Sequence, residues 1–239
     1  MSKSKGVSIV SNLVLFVIIA FCLVAGFTLG ENNAINYVNA TTSDGVIYAG
    51  NRENNNISLM INVYWGTEYL DGILDVLDEY QAKCTFFVGG SWVAKNPDML
   101  IKIAERGHEI GNHGYYHKDH ATLDASRNRE EIKITHQLVE SYLDGLSMNL
   151  FAPPSGSYNK TTVAVANELG YKTIMWTRDT IDWRDKDETL IYSRAVKDMA
   201  GGDLILMHPT EKTLIALPQI LEYCKTNGFV ANTVSATIG

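Results

Sequence analysis

Three features of this sequence predict an α/β fold built on a parallel sheet. Seven short apolar runs alternate with six longer amphipathic stretches from Ile57 onward. Such alternation implies parallel strands joined by crossovers, either an open doubly wound sheet or a barrel. The unusual polar and aromatic residues fall at the carboxyl ends of the apolar runs, the rim where both architectures assemble their chemistry. No G-x-G-x-x-G or P-loop follows the first run, which weighs against a nucleotide-binding sheet.

The first strand is ISLMINVY (57–64), a buried-strand pattern that Asn62–Trp65 closes. EYLDGILDVLDEY follows as a helix with Leu70, Ile73, Leu74 and Leu77 on one face. CTFFV (84–88) is the second strand. NPDMLIKIAERG is a helix with Asn96 as N-cap, Pro97 as its first residue and Gly107 as its stop. HEIGN (108–112) is the third strand and 127–145 a longer helix. LFA (150–152) leads into the turn PPSGS, where two prolines fix φ and Ser and Gly let the chain reverse. KTTVAVANELG is a helix and YKTIMW (171–176) the fifth strand. A helix near 188–200, the strand DLILM (203–207), a helix over 214–226 and the strand FVANTVS (229–235) complete the series.

The 239 residues, 46% hydrophobic, suffice for one sizeable core. A net charge of −7 with no basic stripe argues against a nucleic-acid partner. Residues 1–30 place Lys3 and Lys5 before 19 uncharged residues, Asn12–Gly30, enough to cross roughly 30 Å of hydrocarbon. The flank orients the remainder outward. An uncleaved single-pass anchor is therefore expected at the cell membrane, with a cleaved signal peptide and a secreted domain as the rival. Residues 31–56, rich in Asn, Gly, Ser and Thr, read as a linker. Cys84 and Cys224 read as buried free thiols, with a bridge between them as the alternative.

GNHGYYH sets His113 and His117 four apart, which on a helical turn puts both imidazoles on one face, suited to a divalent ion. His108 begins a strand, His120 reads as loop surface and His136 lies mid-helix. RDTIDWRD crowds Asp179, Asp182 and Asp185 around Trp183, and His208 follows a buried strand directly.

The order of His-x-x-x-His, the Pro-Pro turn, Asp-Trp and Leu-x-His, interleaved with KCTFFVGG, resembles the polysaccharide deacetylase family with the NodB-type domain over residues 57–236. The resemblance implies a distorted (β/α) barrel of about seven strands. It also implies a divalent metal that polarises an N-acetyl carbonyl, one Asp as base and one His as acid. Carried over, His113 and His117 would be metal ligands and His208 the acid that protonates the departing amine. The turn at Pro154 and Ser155 would present a backbone N–H to the oxyanion. Trp183 and Leu206 would shape the acetyl pocket.

The family's first motif is Thr-Phe-Asp-Asp; MINVYWG places Asn62 and Val63 at its two carboxylates. Ala152 replaces the Arg before the Pro-Pro turn, a paired loss that leaves no unpartnered cation in the cleft. WGTEYLDGILDVL resembles a sporulation-associated branch of the family. With Asn62 as a weak third ligand, the expected metal is zinc-like and weakly bound. Asp182 is the expected replacement base, with Asp179 and Glu68 in reserve. The expected activity is N-deacetylation of cell-wall glycan, peptidoglycan or a chitin-like polymer, by a monomer. The alternative is a catalytically impaired glycan-binding protein with Trp65, Trp183 and Tyr115 as sugar platforms.

Overall fold

The computed structural model describes residues 41–239. The expected membrane segment at 1–30 and the first part of the expected linker lie outside the described residues. Among the described residues, no helix is long and apolar enough to cross a membrane.

Ten strands are present among the described residues. They are β1 (Thr41–Ser43), β2 (Val46–Ala49), β3 (Asn56–Val63), β4 (Thr85–Val88) and β5 (Glu109–Asn112), then β6 (Leu150–Phe151), β7 (Lys172–Ile174), β8 (Arg178–Asp179), β9 (Leu204–Met207) and β10 (Val230–Asn232). The sheet runs β1-β2-β7-β6-β5-β4-β3-β9-β8, with β10 paired to the start of β3. All pairings are parallel except the β1–β2 hairpin, so the crossover expectation holds through the domain. The sheet curls into an incomplete barrel rather than a closed ring.

Residues 41–49 correct the linker expectation, because β2 pairs with β7 and belongs to the sheet. Its signal is the Asp44-Gly45 pair, both with positive φ, which turns the hairpin in two residues. Two predicted strands are also shorter than their apolar runs. YKTIMW supplies only β7, after which the chain bends and Arg178–Asp179 joins β9. FVANTVS supplies β10 and then a helix, Val234–Ile238, capped by Thr233.

Of the helices, α1 (Leu70–Glu79), α2 (Gly90–Val93), α3 (Pro97–Glu105), α4 (Ala125–Tyr142), α5 (Lys160–Glu168), α6 (Glu188–Val196) and α7 (Glu211–Thr226) precede that terminal α8 (Val234–Ile238). Leu70, Ile73, Leu74 and Leu77 are all buried, as their spacing requires. Asn96 stands before α3, but its side chain bonds the Trp92 carbonyl instead of capping. On α5, Asn159 and Thr162 form a reciprocal cap that fixes the exit from the Pro-Pro turn.

The two faces of the sheet carry separate cores. Leu59, Ile61 and Val63 of β3 pack outward among the helices, with Leu74, Phe86 and Ile220. Met60, one residue out of phase, points inward with Phe87, Leu150, Ile174 and Leu204. Val234 and Ile238 join that inner cluster, and the Val234 N–H donates to Thr85 at the start of β4. The terminal helix thus fills the amino-terminal end of the half-barrel and leaves the carboxyl-terminal rim for the site.

Candidate active site

A cavity of about 460 Å³ opens at the carboxyl ends of the strands. Asn62, His113, His117, Ser155, Trp183, Leu206 and His208 all line it, together with Tyr64, Trp176 and Asp179. These side chains lie on or just after six parallel strands, which bring them together at one rim.

His113 follows β5 and is fully buried. Its Nδ1–H donates to the Ala152 carbonyl at 2.7 Å, which leaves Nε2 as an unprotonated lone pair. Burial holds its pKa well below the ordinary range, and the neighbouring His117 adds to this. His117 is not on a helical turn. It has φ 54°, in the left-handed region, and it reaches His113 through the loop, with ring centroids 5.1 Å apart. Burial lowers its pKa as well.

Tyr64 stacks on His117 at 3.6 Å. Alternation along β3 explains this: Asn62 and Tyr64 share the inward side, and Val63 is buried among the helices. Val63 therefore does not face the cavity, where the expected alignment put a carboxylate position, and Tyr64 does. Trp65 sits at the rim, its ring stacked on His208 at 5.5 Å.

His208 follows β9. Its Nδ1–H donates to Asp182 Oδ1 at 2.8 Å, while its backbone N–H and the Thr213 hydroxyl both donate to Oδ2. Asp182 is 4% exposed and lies behind the imidazole, outside the cavity lining. This differs from the expected placement of a base: Asp182 accepts three hydrogen bonds, two of them from His208, and does not line the cavity. Asp179, held in reserve by the sequence reading, is the only carboxylate among the lining residues. Burial pushes its carboxyl above the usual carboxylate range, against the lowering effect of the Ile181 N–H.

Ser155 stands at the apex of the Pro-Pro turn with φ 55°. The next residue, Gly156, has φ 63°, and a Cβ there would lie 2.7 Å from the Trp176 ring. Glycine is thus required where the turn backs onto the indole. Pro154 is buried and shapes the turn without lining the cavity.

Two other expectations are corrected. Tyr115 does not face the cleft; its ring packs over Gly90 and beside Thr135, in a separate hollow of about 380 Å³ against α4. His120 is fully buried rather than on a loop surface, with Nδ1 paired to Asn128 Oδ1 at 2.7 Å. Cys84 and Cys224 are both free and buried.

The fit to a divalent ion rests on His113 Nε2 and Asn62 Oδ1, both buried without a hydrogen-bond partner and both at the cavity. With His117 they form a two-imidazole donor set that suits a nitrogen-preferring ion. No group of three His, Cys, Asp or Glu side chains among the described residues could hold a metal. The set carries no negative charge, which disfavours a hard, oxygen-seeking ion.

The buried histidines predict a pH dependence of stability. His113, His120 and His108 have pKa values lowered by burial, that of His108 to about 4. The unfolded chain takes up protons near 6.5 that the native state refuses, so stability present above 6.5 is lost as pH falls below it. Each such histidine contributes a slope of about 1.4 kcal/mol per pH unit. Asp179, raised by burial, opposes this with a single proton. Urea unfolding in chelator at pH 7.5 and 5.5 should show a clear loss at the lower pH; equal stabilities would contradict it.

A half-barrel of parallel strands with an imidazole–carboxylate pair facing two further imidazoles defines an α/β protein of the carbohydrate-deacetylase class. The polysaccharide deacetylase family model matches residues 49–174, and the chain belongs to that family. It is 40% identical to YlxY of Bacillus subtilis over 79% of this chain, and spans 59% of that protein's length. It is 34% identical to a peptidoglycan-N-acetylglucosamine deacetylase of Bacillus cereus, over 70% of this chain and 80% of the relative. A crystal structure of BA3943 of Bacillus anthracis, a CE4 family pseudoenzyme, superposes with a TM-score of 0.79 at 34% identity, over 83% of this chain and 70% of that one. A mutant of BA3943 with restored enzymatic activity superposes equally well.

Proposed function

We propose that this chain is a deacetylase-like hydrolase that removes N-acetyl groups from cell-wall glycan, peptidoglycan or a chitin-like polymer. The observation that carries this reading is the His208–Asp182 pair. A buried carboxylate that fixes one imidazole nitrogen and turns the other toward a cleft serves proton transfer, and a binding groove has no use for it.

His113 and His117, with Asn62 as a weak third donor, would hold a divalent metal, which when bound would supply Lewis-acid polarisation of the amide carbonyl. Trp183 and Leu206 enclose the acetyl group, while Trp65 and Trp183 offer exposed faces to the sugar. The Ser155 N–H donates to the oxyanion. Asp179 takes the proton of the attacking water. His208, as an imidazolium that keeps its Nδ1 proton on Asp182, gives its Nε2 proton to the nitrogen as the C–N bond breaks, leaving acetate and a free amine; the proton that Asp179 took then returns to the Nε2 lone pair. The domain works outside the cell as a monomer, held by the segment at 1–30.

The second reading, a glycan-binding protein without turnover, is favoured by one observation: Asn62 and Tyr64 bring no carboxylate to the first strand's end. The similarity to the pseudoenzyme BA3943 supports it too. The discriminating measurement is acetate release from N-acetylglucosamine oligomers and peptidoglycan fragments, with and without added zinc or cobalt. Release that is lost in both His113→Ala and Asp179→Asn is the expected result. Glycan binding with no release under any metal would establish the second reading.

A further inference from the structure

The loop carrying the histidine pair is held by a carboxylate that the chemistry above does not use. Glu131 stands on α4 and is 8% exposed. Its Oε2 accepts from the consecutive backbone N–H groups of Tyr115 and Tyr116, each at 2.7 Å. Arg127, one turn away, pairs with Glu130 instead. A carboxylate buried without a cation is costly to keep, and the charge-assisted bonds to two amides are what offset it.

Those bonds complete a set that ties the loop at successive residues. The Gly114 N–H donates to Asn112 Oδ1 at 2.9 Å. The Gly114 and Tyr115 carbonyls accept from the Gly90 and Ser91 N–H groups, each at 2.9 Å. Every N–H from Gly114 to Tyr116 is thereby engaged. The next residue is His117, a non-glycine in the left-handed region, a conformation that persists only where its surroundings impose it.

We propose that Glu131 is a positioning residue of the site. By pinning the backbone of residues 115 and 116 it imposes the left-handed turn at His117 and holds that imidazole facing His113. The claim rests on the deacetylase reading only for its kinetic consequence; its structural core stands apart from it.

The test compares Glu131→Ala and Glu131→Gln with the full chain, reading amide exchange, histidine ring resonances by NMR, and acetate release. In the wild type, the Tyr115 and Tyr116 amides should exchange on the order of 10²-fold more slowly than in an unstructured peptide. In Glu131→Ala both amides lose protection and the His117 ring resonances shift or broaden, while those of His208 stay in place. Turnover falls about 10²-fold with KM little changed, the size expected from a misplaced group. Glu131→Gln, whose single amide oxygen can accept both N–H groups, restores most of each signal. Unprotected Tyr115 and Tyr116 amides in the wild type would overturn the proposal, and so would a folded Glu131→Ala with an unmoved His117 ring. Should the alanine variant not fold, wild-type exchange and the glutamine variant still decide. A wild type that releases no acetate while showing the exchange and ring effects would sink the deacetylase reading alone.

Discussion

Asp182→Asn is expected to lower acetate release by roughly 10²- to 10⁴-fold with little change in KM. The carboxylate accepts from three donors: the His208 backbone N–H, the His208 ring and the Thr213 hydroxyl. A carboxamide has one acceptor oxygen and must turn its NH₂ toward one of these groups. Thr213 can reverse its hydroxyl and become the acceptor, but the backbone N–H cannot. If the amide nitrogen faces the ring, His208 is driven to the opposite tautomer, with Nδ1 an acceptor and the proton on Nε2; that neutral ring is too weak an acid to protonate the leaving nitrogen and has no lone pair in the cleft to recharge. The imidazolium formed during turnover also loses its counter-charge. The loss should match that of His208→Ala, and the double variant should be no worse than either single one, since the two residues act as a unit. Asp182→Asn with turnover within twofold of the wild type would remove His208 from the acid role. Residual folding of the variant is checked by urea unfolding, where one disturbed buried acceptor costs about 1–3 kcal/mol.

Much of this site could be read from sequence because parallel strands deliver the residues that follow them to one rim. His113, Ser155, Trp183 and His208 needed only the strand ends to be found, and each lies within a few residues of one. Where reading stopped short, the cause is local geometry that spacing does not encode. Tyr64 was within reach, since it stands two residues beyond Asn62 and strand alternation puts both on one side; Val63 is the outward residue between them. Asp179 and Asp182 part ways because Ile181 takes φ 55° and turns the loop between them, so that Asp179 faces the cleft and Asp182 lies behind His208. His120 looks like surface in a polar stretch, yet its burial depends on Asn128 and on Thr162, which donates to its carbonyl from 42 residues away. The Glu131 contact to the Tyr115–Tyr116 backbone is likewise invisible until α4 packs against the loop. The hairpin at 41–49 had a legible Asp-Gly turn, but its strands are three and four residues long and fall below what apolar periodicity can register.

Asp203→Ala is expected to give a large loss of stability, about 3–5 kcal/mol, because it strips a buried charge of its partner role. Asp203 is 1% exposed and lies directly before β9. Its two oxygens accept from Arg52 and Arg178, both at 2.6 Å, and from the Ala200 N–H at 3.0 Å. Burial alone would push its carboxyl up; the Ala200 N–H and the two guanidinium groups overcome this and hold it below the usual carboxylate range. By contrast, the surface pairs Lys102–Asp71 and Arg127–Glu130 join exposed side chains and contribute at most about 1 kcal/mol each. Removing the Asp203 carboxylate strands Arg178, whose side chain is only 18% exposed and also reaches the Lys197 and Asp198 carbonyls. The consequence reaches the cleft, since Arg178 and Asp179 make up the two-residue strand β8, held to the sheet only through β9 among the described residues. Loss of the anchor should free that edge and displace Asp179 from the cavity wall. Asp203→Asn, which keeps an acceptor for Ala200 and one arginine, should cost less than half as much. Urea unfolding of the two variants checks the ranking: an alanine variant within 1 kcal/mol of the wild type would mean that both arginines relax into solvent and that the edge strand needs no such anchor.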